Sequence, residues 1–290
     1  MIEMPLVIDH QKVCKCTGKN RLNCLNGTEW GKNMVNVWKV SYEKRDIRDR
    51  NKHPATYPIA LAARAITVFT HKGELVVDPF SGSGTTVVAA QDYERSAVGF
   101  DLQQKYCDLA RSRLQPANMW HPNLRHLFVQ ADARDIPQHL MPGTVKFIMT
   151  SPPYADMLQV KSANNSRHCA ERKQKGASAQ YSQDEKDLGT LNPENWEKAM
   201  AEIFGGMLPL LTPDGNVLIN VADPYVNGKR LLLHVHVIKA LQGVGYEFRN
   251  MIFWDRSNII NGIGVFGYPT TYMTLGAGEY LLHFRPDKKP

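Results

Sequence analysis

From residue 58 to residue 150, two patterns of apolar and polar positions alternate along the chain. Short apolar runs bounded by turn residues are typical of buried strands, and stretches with apolar residues three or four positions apart are typical of helices. The predicted strands in this part are 74–80, 96–101, 125–132 and 145–150, and the predicted helices are 58–71, 84–94 and 102–115. Strands that alternate with helices form βαβ units, so the pattern predicts a parallel sheet with right-handed crossovers.

This alternation stops at residue 155 and resumes after residue 192. Residues 155–192 are polar, with several Lys and Arg, and a loop of this length inside a compact domain is usually functional or disordered. Beyond it, a helix that starts near Pro193 is accompanied by strands at 212–223, 247–256 and 279–286. We therefore predict one α/β domain over 53–290, with a mostly parallel seven-stranded sheet, helices on both faces and a polar basic insertion at 155–192.

The charge of the chain adds a candidate partner to this picture. Its 290 residues include 35 Lys and Arg against 28 Asp and Glu, so the net charge is +7, and residues 1–52 form a mixed, basic segment. A basic surface favours a polyanionic partner, nucleic acid first, although many basic proteins bind none. No apolar run is long enough to span a bilayer, and the N-terminus lacks the pattern of a signal peptide, so we expect no membrane association.

Cysteines are few and odd in number, five in all, which favours a reducing compartment and a cytoplasmic location. Three of them, Cys14, Cys16 and Cys24, cluster near the N-terminus with His10 nearby. Zinc sites are typically built from two paired ligand sets at regular spacing, and this order is not a familiar one. The interpretation from sequence is therefore thiols without a bound metal.

Candidate chemistry begins with the stretch DPFSGSGTT, residues 78–86, which joins a predicted strand to a predicted helix. Gly82 and Gly84 permit backbone conformations that other residues resist, and the helix that follows offers unpaired N–H groups at its start. A P-loop would need a lysine directly after the second glycine, and a dinucleotide fingerprint would need a third glycine at Val87. Both of these nucleotide readings are therefore disfavoured, and a plain tight turn stays as the structural alternative.

Two aspartates end the next predicted strands. Asp101 lies 23 residues after Asp78, close to the spacing at which an acidic residue binds ribose hydroxyls in Rossmann-like sites. Asp132 ends the third strand and would accept a hydrogen bond from an adenine amino group. Taken singly, each is more simply a helix cap or turn residue. Because the carboxyl ends of parallel strands meet at one edge, together they predict an adenosine pocket.

A fourth strand end carries SPPY, residues 151–154. Two prolines after a strand would serve simply to stop it. They would also form a rigid platform, because neither proline nitrogen can donate a hydrogen bond and both φ angles are restricted. Such a platform would present Ser151 and Tyr154 at the same sheet edge as the aspartates.

Together, DPFSGSGTT, GFD (99–101) and TSPPY (150–154) closely resemble the motifs of the S-adenosylmethionine-dependent DNA amino-methyltransferases. HPATYP (53–58) is similar to a further cofactor motif of that family, and the similarity spans residues 53–285. The resemblance implies a Rossmann-like methyltransferase fold with S-adenosylmethionine as the cofactor. The implied cofactor-binding residues are His53, Pro54, Pro58, Asp78, Phe80, Gly82, Ser83, Gly84, Thr85, Thr86, Asp101 and Asp132.

The same resemblance assigns the chemistry to Ser151, Pro152, Pro153 and Tyr154. In this family SPPY most often accompanies methylation of cytosine N4, whereas DPPY and NPPY more often accompany adenine N6. The serine hydroxyl and the Pro152 carbonyl would accept the amino hydrogens of a base flipped out of the duplex, and Tyr154 would stack on its ring. Adenine N6 methylation and a catalytically silent nucleic-acid-binding relative are the alternatives.

Double-stranded DNA is the implied partner, together with a cognate restriction endonuclease, in a bacterial or phage setting. Here the cofactor motifs precede SPPY, whereas a common arrangement in relatives has the opposite order, and no usual recognition insert is evident. The basic segments 1–52 and 155–192 are the candidates for target recognition. Phosphate contacts are predicted for Lys161, Arg167, Arg172, Lys173 and Lys175, against the alternative that each is simply solvated.

Overall fold

The structure is a computed structural model, and it describes residues 14, 16, 22–49, 57–116, 122–155, 184, 186–226, 229–257 and 278–287. Its main element is an eight-stranded sheet in the order β1-β9-β10-β6-β5-β2-β3-β4. These strands are β1 (Val37–Lys39), β2 (Leu75–Asp78), β3 (Ser96–Asp101), β4 (His126–Gln130), β5 (Val145–Thr150), β6 (Leu211–Val221), β9 (Tyr246–Asp255) and β10 (Gly278–Pro286). A separate two-stranded ribbon joins β7 (Tyr225–Val226) to β8 (Lys229–Arg230).

Strand directions follow the predicted pattern. β6, β5, β2, β3 and β4 are mutually parallel, whereas β10 runs antiparallel to both of its neighbours, β6 and β9. The prediction of a mostly parallel, Rossmann-like sheet is thus confirmed. Its strand count was one too low, because β1 also joins the sheet, in parallel with β9.

β1 is short, and one residue anchors it. Trp38 is 1% exposed, whereas its two neighbours in the strand are exposed. A three-residue strand shows too little alternation to be distinguished from a loop by pattern alone. Because β1 lies within residues 1–52, part of the predicted N-terminal segment is built into the sheet of the α/β domain.

Helices cover both faces of the sheet. The described helices are α1 (Gly27–Asn33), α2 (Lys44–Asp49), α3 (Ile59–Phe69), α4 (Thr85–Asp92), α5 (Gln104–Arg111), α6 (Ile136–His139), α7 (Pro193–Met207) and α8 (Leu233–Gln242). Buried residues of α3, α4 and α5 form one hydrophobic core, and those of α6, α7 and α8 form a second. No helix among the described residues combines the length and the hydrophobicity that crossing a lipid bilayer requires.

The central strands are buried on both sides, as their continuous apolar sequences predict. Successive residues of β2 alternate between the two cores, with Leu75 and Val77 on one face and Val76 on the other. The chain turns to opposite sides of β2, since β3 and β4 lie on one side and β5 and β6 on the other. Such a switch point leaves a crevice beyond the carboxyl ends of β2 and β5, and ligands of open α/β sheets bind there.

Candidate active site

A cavity of about 390 Å³ lies at this switch point, beyond the carboxyl ends of the central strands. Its volume falls within the range of about 300–1,000 Å³ that is typical of small-molecule sites. Four of its walls are formed by residues at or just after the carboxyl ends of β2, β3, β4 and β5. Other lining residues come from a turn before α7, from the end of β6 and from the start of β10. The lining segments are 78–83, 101–103, 131–134, 151–154 and 186–188, with further residues at 42, 57, 85, 106, 203, 220, 222, 256 and 279.

Asp78, at the end of β2, is a buried hub between these walls. Its Oδ1 accepts hydrogen bonds from Thr150 Oγ1 at 2.6 Å and from the Phe80 amide at 3.1 Å. Its Oδ2 accepts from Thr86 Oγ1 at 2.5 Å and from the Tyr57 hydroxyl at 3.3 Å. Burial raises the pKa of the Asp78 carboxyl, and these four donors oppose that rise. The carboxylate therefore ties the ends of β2 and β5 to α4 and to Tyr57, just before α3.

The two glycines of the loop 78–86 have different surroundings. Gly82 has φ of +49° and lines the cavity, and its amide donates to Asp101 Oδ2 at 2.9 Å. Gly84 has φ of +80° and caps α4, and it does not line the cavity. A Cβ at Gly84 would lie 2.6 Å from Phe128 Cζ and 2.7 Å from Ala110 Cβ. One glycine thus contributes to the ligand site and the other permits close packing of α4 against α5 and the sheet.

Arg113, just after α5, holds the same loop from the opposite side. Its Nη1 donates to the Ser83 carbonyl at 2.6 Å and to Ser83 Oγ at 2.9 Å, and it lies 3.3 Å from Thr85 Oγ1. Arg113 is 6% exposed, so its guanidinium is held among these acceptors. The loop is therefore held at both of its ends, at Asp78 and at Ser83.

Asp101 lies at the end of β3 and faces the cavity. Its Oδ1 accepts from the Gln103 amide at 2.9 Å, while Oδ2 accepts from the Gly82 amide. Burial raises the pKa of the Asp101 carboxyl to about 6, and the two amides act in the opposite direction. Each carboxylate oxygen has a second lone pair, so at neutral pH the side chain retains capacity for two further donors.

Asp132 follows β4 and lines the next part of the wall. It caps a short 3₁₀ turn, because its Oδ1 accepts from the Arg134 amide at 3.0 Å. Nη1 of Arg134 lies 3.1 Å from both carboxylate oxygens, and the Arg134 Nε also contacts Glu202 at 3.1 Å. The cap and the ion pair orient Asp132 within the cavity wall.

The SPPY segment after β5 is held by two long-range hydrogen bonds. Trp196 Nε1 of α7 donates to the Pro153 carbonyl at 2.7 Å, and the Ala222 amide after β6 donates to the Tyr154 hydroxyl oxygen at 2.9 Å. The Trp196 ring is fully buried. Ser151 lines the cavity at the start of the segment and is half-buried. Ser151 therefore lies on a segment that is held from two other elements, through the Pro153 carbonyl and the Tyr154 side chain.

The far wall consists of polar residues from the ends of β6, β9 and β10. Asn220 Nδ2 donates to Glu279 Oε2 at 2.5 Å, and Arg256 pairs with the same carboxylate. Asn220 Oδ1 is buried, and no group among the described residues donates to it. A buried acceptor without a donor beside a cavity is the arrangement expected where a ligand N–H or O–H completes the site.

Most predicted site residues that the structure describes meet at this cavity. Those that line it are Asp78, Phe80, Gly82, Ser83, Thr85, Asp101, Asp132, Ser151, Pro152, Pro153 and Tyr154. Pro58, Gly84 and Thr86 do not line it; Pro58 caps α3, and Thr86 supports Asp78. Outside the described residues lie His53, Pro54, Lys161, Arg167, Arg172, Lys173 and Lys175.

Sequence patterns did not single out several residues that shape the site. Tyr57 and Arg113 support the glycine loop, Trp196 supports the double proline, and Asn220 and Glu279 form the far wall. Tyr57 belongs to the predicted motif HPATYP, which was the one local signal for it. The others come from elements far from any motif, so only the fold brings them to the cavity.

Comparison with known proteins identifies one family. A family model described as DNA methylase matches residues 8–112 and 145–290. A type II methyltransferase of Streptococcus pneumoniae, M2.DpnII, is 40% identical over 88 residues, which are 30% of this chain and 33% of that protein. The type II methyltransferase M.HpaI of Haemophilus parainfluenzae is 37% identical over 84 residues, 29% of this chain and 27% of its own length.

Among solved structures, a DNA modification methylase of Thermus thermophilus in complex with S-adenosyl-L-methionine is similar with a TM-score of 0.36 and 18% identity. That match covers 55% of this chain and 56% of the other. The chain thus spans about a third of the length of the two curated relatives, 33% and 27%.

Proposed function

The chain belongs to the DNA methylase family, and from that premise we propose that it transfers a methyl group from S-adenosylmethionine to the exocyclic N4 of a cytosine in double-stranded DNA. The observation that carries the proposal is a shared cavity. Ser151 and Tyr154 line the same cavity as Gly82 and Asp101, so a bound cofactor and a target amine would meet there. The resemblance inferred from the sequence motifs is confirmed by the family match.

S-adenosylmethionine is the cofactor that this family implies, as the sequence motifs predicted. It supplies a methyl group activated on a positively charged sulfonium. The carboxylates of the cavity fit such a ligand, because Asp78, Asp101 and Asp132 line it and no lysine follows Gly84 as it would in a P-loop. Carboxylates suit a sulfonium cation and a ribose diol.

Within that cavity, we assign the ribose hydroxyls to Asp101. Its two carboxylate oxygens already accept from two backbone amides, which fixes their direction while a second lone pair on each stays available. Asp132 is assigned to the adenine amino group, and its ion pair with Arg134 keeps the carboxylate oriented. Phe80 adds an apolar surface to the same wall.

The double proline is assigned to the amine. Its prolines have no N–H, so the Pro152 carbonyl and Ser151 Oγ present acceptors without a competing backbone donor. Two acceptors for the amino hydrogens would direct the nitrogen lone pair outward and raise its nucleophilicity. Tyr154 would stack on the flipped ring, and its hydroxyl oxygen is already held by the Ala222 amide. Catalysis of this kind rests on positioning and preorganised polarity.

DNA binding is proposed to depend on phosphate contacts. The net charge of +7 supplies a favourable long-range attraction for a polyanion. The basic residues Lys161, Arg167, Arg172, Lys173 and Lys175 remain the predicted contacts, and residues 1–52 and 155–192 remain the predicted recognition segments. A role in restriction and modification, with a cognate endonuclease as partner, follows from the type II relatives and is part of this proposal.

The test is methyl transfer to plasmid DNA, followed by digestion to nucleosides and mass spectrometry. We expect N4-methylcytosine from the unaltered protein, and a loss of at least about a hundredfold in rate for Ser151→Ala and Tyr154→Ala. Ser112→Ala, which removes an exposed hydroxyl outside the cavity, is the matched control.

Calorimetric titration with S-adenosylmethionine separates the possible results. Ser151→Ala and Tyr154→Ala should keep the affinity of the unaltered protein for the cofactor, because both residues are proposed to contact the target base. N6-methyladenine as the product would move the target to adenine and leave the family chemistry in place. Cofactor binding without any methylated nucleoside would favour a silent DNA-binding relative and refute the proposed activity.

A further inference from the structure

A cluster of sulfur and nitrogen ligands lies outside the cavity, where the N-terminal segment meets the start of β2. The Sγ atoms of Cys14, Cys16 and Cys24 and a ring nitrogen of His71 all lie within 4.8 Å of one another. His71 Nδ1 is 3.3 Å from Cys24 Sγ and 3.6 Å from Cys14 Sγ, and Cys16 Sγ is 3.5 Å from Cys24 Sγ. None of these four residues lines the cavity.

Three of the six separations in the cluster match the edges of a metal-centred tetrahedron, and the other three lie within 4.8 Å. Zinc lies about 2.3 Å from cysteine sulfur and about 2.0–2.1 Å from histidine nitrogen, so tetrahedral angles place two sulfurs about 3.8 Å apart and a sulfur and a nitrogen about 3.5 Å apart. The three observed distances, 3.3, 3.5 and 3.6 Å, lie within about 0.3 Å of those values. We propose that Cys14, Cys16, Cys24 and His71 bind one structural zinc ion.

The backbone around Cys24 supports this assignment. Asn23 and Cys24 both have positive φ, +50° and +71°, which is uncommon for residues other than glycine. Such conformations persist where surrounding contacts demand them. The Asn23 side chain donates to the Val68 carbonyl at 2.6 Å, and the Lys72 amide donates to the Cys24 sulfur. The turn is thus held against the end of α3 with Cys24 directed at His71.

His71 is positioned from its own side of the cluster. It lies two residues after the end of α3, and its amide donates to Glu74 Oε2 at 2.6 Å, just before β2 begins. A ligand whose backbone is fixed in this way loses little freedom on binding a metal, as is usual where an outer shell orients metal-binding histidines.

The charge of the proposed site is balanced by a buried cation. Zinc with three thiolates and one neutral histidine carries a net charge of about −1. Arg95 is 2% exposed and lies within electrostatic range of Cys24 and Cys14. Its guanidinium is held by the Thr70 carbonyl at 2.6 Å, directly before His71 in the chain. A buried charge beside a site of opposite charge is the pairing that makes its burial tolerable.

Four protein ligands leave no open position, so the ion would be structural. It would fasten Cys14, Cys16 and Cys24 to the junction between α3 and β2, the strand that ends at the hub carboxylate Asp78. This proposal replaces the expectation of thiols without metal. Sequence spacing did not indicate the fourth ligand, because His71 is 47 residues from Cys24, and His10 lies outside the described residues.

The decisive measurement is metal content by inductively coupled plasma mass spectrometry on protein purified without chelator. We expect one zinc per chain, and loss of that zinc in Cys24→Ser and in His71→Ala. Cys107→Ala is the matched control, because Cys107 is buried in α5 away from the cluster. It should keep the full zinc content.

Two further measurements keep the proposal testable if a variant fails to fold. His71→Cys preserves four ligands and should retain zinc, and cobalt substitution in the unaltered protein should give the absorption bands of tetrahedral cobalt thiolate. Either result supports the site. Unaltered protein that lacks stoichiometric zinc, contains iron instead, or shows a mass deficit of two hydrogens from a disulfide between Cys16 and Cys24 would overturn it. So would full zinc retention in both Cys24→Ser and His71→Ala.

Discussion

Replacing Asp101 with asparagine tests the assignment of the cofactor pocket most directly. The carboxylate would accept two hydroxyl hydrogens of the ribose, and hydrogen bonds to a charged group contribute about 1.5–3 kcal/mol each. Asparagine keeps one acceptor oxygen and turns an NH₂ group toward the other position. We expect a loss of about 2–3 kcal/mol in cofactor binding, which is about 30- to 160-fold in Kd.

The fold should tolerate this change, because two effects on stability oppose each other. Burial raises the pKa of the Asp101 carboxyl from 3.8 to about 6, so ionising it in the folded state at neutral pH costs about 3 kcal/mol. Asparagine removes that cost. It also places its NH₂ against one of the amides of Gly82 and Gln103, at a cost of about 1–3 kcal/mol. The net change in the free energy of unfolding should stay below about 2 kcal/mol.

The same carboxyl predicts a pH dependence of cofactor affinity. Because the pKa of the Asp101 carboxyl in the free protein is about 6, acidification below pH 6 protonates it and converts the acceptor into a neutral acid. The Kd for S-adenosylmethionine should therefore rise about tenfold for each pH unit below that pKa. Asp101→Asn has no proton to lose at this position, so its Kd should vary little over the same range.

Isothermal titration calorimetry between pH 5 and pH 8 measures both effects, and urea unfolding checks the fold of each variant. Asp108→Asn makes the same chemical change on an exposed side chain of α5 and should leave Kd unchanged. A Kd for Asp101→Asn within twofold of the unaltered protein, with a native urea transition, would refute the ribose assignment.

Three further predictions follow from individual contacts. Gly84→Ala should lower the free energy of unfolding in urea by about 2–4 kcal/mol, because the added Cβ overpacks the core and the left-handed φ strains the backbone. The control Gly143→Ala has φ of +69° but nothing within 4 Å of the added Cβ, so it should cost only about 1 kcal/mol. Equal effects of the two substitutions would contradict the packing argument. Trp196→Phe removes the bond to the Pro153 carbonyl and should lower kcat about fivefold with unchanged cofactor Kd, whereas unchanged kcat would speak against a positioning role. Burial lowers the pKa of His283 to about 4, so between about pH 4 and 6.5 the unfolded chain binds more protons than the folded protein, and the free energy of unfolding falls on acidification. His283→Gln should reduce this dependence of the free energy of unfolding on pH, measured by urea unfolding. An unchanged pH dependence would exclude His283 as its source.

The part of the site that sequence predicted well is the part set by strand ends. Asp78 and Asp101 end strands of one parallel sheet, and Asp132 and Ser151 lie just after two others, so topology alone brings them to one edge. The same reasoning reached the sheet itself, apart from β1. That strand has three residues and is held by a partner at the other end of the chain, so no local pattern marks it.

A motif does not distinguish neighbours that have different tasks. From the sequence, the residues of the loop 78–86 are predicted to share one role, cofactor binding. In the structure Gly82 faces the cavity, Gly84 packs against Phe128, and Thr86 supports Asp78. A glycine is required at either position, since both have positive φ. The side of the loop that each residue faces depends on the helix and strand packed against it, which the spacing of glycines does not encode.

Long-range contacts fix the position of the double proline beside the cavity. Thr150, directly before it, bonds to Asp78; Trp196 holds the Pro153 carbonyl; and the amide of Ala222 holds Tyr154. Three elements therefore determine where the acceptors of the platform point, while the prolines only restrict their backbone angles. The residues that we propose to carry the chemistry are visible in a motif because their types are unusual. Residues that orient them are ordinary tryptophans, threonines and backbone amides, and only the folded chain reveals them.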